Sequence, residues 1–121
     1  MKKRALTALA LILLLYPAAA LSHPPAGLML SYNIDRELLD IEIEHDIGTA
    51  KEGTDHYIAA IQIFVTSDGE KGRAGVIELS IQDAYEGVKL QHKVKAKAGD
   101  SIMVRAKCSK YGHREATVEV K

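Results

Sequence analysis

The chain has 121 residues, with 16 Lys and Arg balanced by 16 Asp and Glu, and a single cysteine. That length accommodates one domain, and the even charge leaves no basic stripe suited to a nucleic acid backbone. One cysteine excludes an internal disulfide.

Met1-Lys2-Lys3-Arg4 precedes an apolar run over 5–16, which Pro17-Ala18-Ala19-Ala20 closes. A basic start, an apolar run of about 7–15 residues and small residues for the peptidase make a secretory signal. A membrane-spanning helix needs about 20 apolar residues, and Pro17 ends this run sooner. Residues 1–22 are therefore expected to be a signal peptide, cut after Ala20 or after Ser22. The expected product is exported, periplasmic or extracellular, with no membrane attachment and no nucleic acid partner. Loss of Lys2, Lys3 and Arg4 removes three of the 16 cations, leaving 13 against 16 carboxylates. In an oxidising compartment Cys108 has to be buried, metal-bound or open to oxidation.

Residues 23–121 form one domain. After His23-Pro24-Pro25, Leu28, Leu30, Tyr32 and Ile34 alternate with Met29, Ser31 and Asn33, a first strand. Leu39, Ile41, Ile43 and His45 alternate with Leu38, Asp40, Glu42 and Glu44, a half-buried second strand. A loop over 46–55 leads to the third, His56 to Val65. There Tyr57, Ala59, Ile61, Ile63 and Val65 share one face, and the other is nearly as apolar, as in a strand covered on both sides.

A polar turn over 67–72 precedes a fourth strand set by Gly75, Ile77, Leu79 and Ile81. Val88, Leu90, His92 and Val94 mark the fifth, and Ile102, Val104, Ala106 and Cys108 the inward face of the sixth. After a loop over 109–113, Ala116, Val118 and Val120 give the seventh. Seven short strands without a helical period after the leader predict an all-β, immunoglobulin-like antiparallel sandwich.

His45, His56 and Cys108 all fall where a strand meets a loop. The two histidines flank one loop and so share one end of the sandwich; up-and-down strand pairing brings Cys108 to the same end. Two imidazoles and a thiolate suit iron, zinc or copper. The same residues also read as surface histidines and a buried core thiol. His23, before the first strand, is less constrained. His92 reads as a core histidine, His113 as a solvated loop residue, and Glu42 and Glu44 as a wet strand face.

These residues resemble a family, the iron domain of the superoxide reductases (desulfoferrodoxin and neelaredoxin). The likeness lies in His56-Tyr57-Ile58 heading an apolar strand, His45 shortly upstream and His23 before the first strand. Cys108 at the end of the penultimate strand, followed by a short glycine loop, completes it. The resemblance spans the whole segment 23–121. It implies a mononuclear non-haem iron with four equatorial imidazoles and an axial thiolate, and an open sixth position for superoxide. The implied activity is one-electron reduction of superoxide to hydrogen peroxide. A small anionic oxidant and a separate electron donor would be the partners, because no four-cysteine module is present. Carried over by position, His23, His45 and His56 are equatorial and Cys108 axial.

Two departures separate this chain from the pattern. After the cysteine the family has Asn, any residue, His, Gly; here stand Ser109, Lys110, Tyr111 and Gly112, so Tyr111 takes the fourth imidazole's place. Where active members carry Glu-Lys before the first histidine, this chain has Leu21 and Ser22. The vacated position could be filled by His113, by Tyr111 as a phenolate, or by the amino group of His23 after cleavage at Ser22. The last arrangement suits copper as readily as iron. The alternative to an enzyme is a metal-binding or protein-interaction sandwich without the family's activity.

Overall fold

A computed structural model describes residues 24–48, 56–82 and 85–121. Residues 1–22, expected to be a signal peptide, together with His23 and residues 49–55 and 83–84, lie outside the described residues. Among the described residues seven strands occur in chain order: β1 (Gly27–Asn33), β2 (Leu38–Glu44), β3 (Ile58–Ser67), β4 (Glu70–Glu78), β5 (Gly87–Lys93), β6 (Ser101–Cys108) and β7 (Gly112–Glu119). They form a three-stranded sheet, β1-β2-β5, and a four-stranded sheet, β4-β3-β6-β7, with every pairing antiparallel. The seven-stranded, all-β sandwich expected from the strand pattern is the fold observed.

The core follows from alternation. Leu39, Ile41 and Ile43 of β2 face Ile61 and Ile63 of β3 and Ile102, Val104 and Ala106 of β6, all buried. Burying one such side chain stabilises by about 1.5–3 kcal/mol, so these strands dominate the cohesion of the two sheets.

In β3 the structure departs from strict alternation. Ile58 pairs with Cys108 and Ala60 with Lys107, so the register shifts across Ala59. This bulge puts Ile58 and Ile61 on the same inward side, both fully buried, where simple alternation assigns Ile58 to the opposite face. The second face of β3 is half-buried, not covered. Gln62 and Phe64 lie on it, and Lys71 Nζ sits 4.5 Å from the Phe64 ring centroid.

The fourth strand begins at Glu70, inside the segment expected to be a turn. The turn itself is only Asp68-Gly69, with φ of 53° and 83°. Positive φ at both central residues is the twist-matched hairpin solution, and Asp-Gly is a preferred pair for it. Ile81 lies beyond β4 and is 43 % exposed. His113, expected in a loop, stands in β7 opposite Lys107.

Two features bring the functional end together. Gly27 of β1 pairs with Glu44 of β2, so β1 starts where β2 ends. Arg114 Nε donates to the Pro25 carbonyl at 2.7 Å, drawing the proline-containing lead-in against β7.

Candidate metal centre

His45 follows the last residue of β2 and is 1 % exposed. Its backbone N–H donates to the Glu86 carbonyl at 2.9 Å, so the strand pairing with β5 holds it one residue past the β2 terminus. His56 precedes β3, and Cys108 is the buried last residue of β6. One donor atom from each of His45, His56 and Cys108 lies within 4.8 Å of the others. The His45 and His56 rings meet edge-on, with centroids 5.2 Å apart at 80°. Two metal–ligand bonds of about 2.0–2.3 Å each reach across at most about 4.6 Å, so small side-chain rotations suffice to share one ion. Two borderline imidazoles and one soft sulfur form a donor set that fits iron, zinc or copper.

Two clasps fix the geometry, and neither carries a periodic signal in the sequence. In the first, the Ser109 N–H donates to the Tyr57 carbonyl at 2.8 Å, and the Tyr57 N–H donates to Ser109 Oγ at 3.1 Å. This reciprocal pair ties the residue after His56 to the residue after Cys108. The second clasp is Gln82, which is 2 % exposed. Its Nε2 donates to the His45 carbonyl at 2.7 Å, and its Oε1 lies 2.8 Å from His45 Nδ1 and 3.3 Å from the Ile58 amide nitrogen. The only sequence signal that could have flagged Gln82 is a polar side chain directly after a strand, which is too common to single out.

The remaining sequence candidates are placed as follows. The Tyr111 ring lies beside His56, with centroids 5.5 Å apart at 68°, so it stands at the same end. His113 is exposed on β7, with Nε2 3.7 Å from Glu115 Oε1, and is not in the three-residue donor group. His23 lies outside the described residues. Its chain neighbour Pro24 lines a hollow together with Ala26, His45 and Asp46, at the same end. His92 is half-buried, its ring filling the space over Gly75 of the opposite sheet.

A larger hollow of about 870 Å³ opens beside His45. Its lining carries the carboxylates of Glu42, Glu44, Asp46 and Glu86 and one cation, Lys89, whose ammonium is 3.3 Å from Glu42. The surround is therefore acidic.

A scan against protein-family models and a search of the curated proteins return no match. Among solved structures, the chain is similar to the superoxide reductase of Giardia intestinalis at 16 % identity and a TM-score of 0.60, covering 81 % of this chain and 100 % of that one. It is similar to the neelaredoxin-type superoxide reductase of Ignicoccus hospitalis at 17 % identity and a TM-score of 0.55, covering 88 % and 87 %. The putative superoxide reductase of Thermotoga maritima matches at 17 % identity and a TM-score of 0.54, covering 87 % and 89 %. At these identities what is shared is the fold: the chain is built on the superoxide-reductase sandwich.

Proposed function

We propose that the chain is an exported redox protein of the superoxide-reductase type, holding a single non-haem iron with His45, His56 and Cys108. His23 supplies a further imidazole, and Tyr111 stands where the family's fourth histidine would be. The observation that carries this reading is the convergence of two imidazoles and one thiolate, within 4.8 Å, at one end of that fold. Bound iron would supply a one-electron couple, and thiolate ligation raises the electron density available for donation. The protein's own residues hold the donors in place. The Ser109–Tyr57 and Gln82 clasps orient them before any ion arrives, and burial of His45 and Cys108 keeps bulk water from two of the three ligands. Superoxide is the proposed oxidant and a separate exported protein or small reductant the electron source, with the periplasm or exterior as the site of action.

Anaerobic loading with Fe(II) followed by oxidation tests this. One iron per chain and a visible thiolate-to-iron absorption that vanishes in Cys108→Ala are expected. No stoichiometric iron, with a fold unchanged by the substitution, overturns it.

A second reading is favoured by the acidic lining beside His45. Glu44, Asp46 and Glu86 there repel a small anion and favour cations. In that reading the sandwich binds iron or copper without reducing superoxide. Loaded protein that consumes no superoxide, with metal analysis after purification from the exported compartment, identifies this case.

A further inference from the structure

We propose that Gln82 is a positioning residue that selects the metal-binding tautomer of His45 and spaces it from His56. The inference rests on the reading of His45 as a metal ligand.

The amide orientation follows from its backbone partners. Nε2 lies 2.7 Å from the His45 carbonyl, which can only accept, and Oε1 lies 3.3 Å from the Ile58 N–H, which can only donate. A flipped amide would set oxygen against oxygen and N–H against N–H at a buried position, each an unmade bond costing about 1–3 kcal/mol. With the amide so fixed, the atom 2.8 Å from His45 Nδ1 is an oxygen. An oxygen cannot donate, so Nδ1 carries the ring proton and Nε2 keeps the lone pair. Histidine ligands are commonly set this way, by a hydrogen bond at the other ring nitrogen.

The same side chain reaches both strand ends that deliver imidazoles. It grips His45 by ring and carbonyl, just past β2, and Ile58 at the first residue of β3, two positions after His56. A role limited to satisfying buried backbone would need only the His45 carbonyl and the Ile58 amide. The contact to the ring is additional, and it bears on coordination. A neutral amide also differs from a carboxylate in this place, since it fixes the tautomer without a full negative charge on the imidazole.

The test begins with nitrogen-15 NMR of the metal-free full chain. His45 should show a protonated Nδ1 and a bare Nε2; a protonated Nε2 overturns the proposal without any variant. Next, Gln82→Leu removes the acceptor and Gln82→Glu keeps it. With Co(II) alone as probe, read by thiolate charge-transfer absorption, Gln82→Leu should weaken binding about 10- to 100-fold. Gln82→Glu, with the carboxyl protonated on the oxygen that faces the His45 carbonyl, should retain the Nδ1–H tautomer and bind within a few-fold of wild type. Equal Co(II) affinity in the leucine variant overturns the proposal, as does a switch of tautomer in the glutamate variant. If the leucine variant does not fold, the wild-type spectrum and the glutamate variant still decide. If wild type binds no Co(II), the metal reading fails, while the tautomer measurement continues to judge Gln82 independently.

Discussion

Replacing Gly87 with alanine should unfasten the corner that seats His45. Gly87 opens β5 at φ 152°, and a Cβ there would lie 1.8 Å from the Ile43 carbonyl oxygen, 2.9 Å from its carbon and 3.1 Å from the His45 nitrogen. Real Cβ contacts essentially never fall under 3.0 Å, so β5 and β2 must part by more than 1 Å. The neighbouring bond from the His45 N–H to the Glu86 carbonyl, 2.9 Å in the native geometry, cannot survive that separation. One or two lost backbone hydrogen bonds cost about 1 kcal/mol each, and a non-glycine residue forced into that backbone region costs about 1–3 kcal/mol more. The sum, roughly 2–5 kcal/mol, is a large part of the stability of a domain this size. With a urea dependence of about 1–3 kcal/mol per molar, the unfolding midpoint should fall by at least about 0.7 M. Gly72, on β4, is the control. A Cβ there meets nothing within 4 Å, so Gly72→Ala should be neutral or slightly stabilising. A Gly87→Ala unfolding free energy within about 0.5 kcal/mol of wild type would refute the close approach of β5 to β2.

Restoring an imidazole with Tyr111→His should raise iron affinity and superoxide consumption together, since the ring already stands beside His56; no change in either would mean that position 111 does not reach the ion. Asp100 gives a pH signature. The backbone N–H of Lys97, 2.9 Å from Oδ2, and the Ser67 hydroxyl hold its carboxyl below the usual aspartate range. A depressed folded-state value stabilises the fold above about pH 4 and is lost as pH falls through the lower folded value. Thermal melts should therefore show Asp100→Asn less stable than wild type at neutral pH, with the gap closing in acid; a gap that widens in acid contradicts the assignment.

The sequence was most informative where periodicity and burial coincide. Strand β2 alternates without interruption, and Leu39, Ile41 and Ile43 are buried as that phase requires. That His45 and His56 share one end was legible because a single loop separates them. Alternation puts Ile58 on the wrong face of β3 because a bulge adds one residue without any compositional mark. The first half of β4, Glu70-Lys71-Gly72-Arg73, leaves no periodic mark because it is an exposed edge with polar and glycine residues and no buried face to alternate. The Asp68-Gly69 pair was the better guide there. Gln82 and the Ser109–Tyr57 clasp depend on contacts between residues 24 to 52 positions apart, which no local pattern encodes.

The three donors do not come from one sheet. His45 extends from β2 of the smaller layer, while His56 and Cys108 sit at the margins of β3 and β6 in the larger. An ion shared among them would thus be a rivet through both layers, in a chain whose lone thiol cannot staple itself to another. At a free-ion concentration a hundredfold above its dissociation constant, such a rivet adds about 2.7 kcal/mol against unfolding. Loss of the ion would then be felt as slippage of one layer over the other.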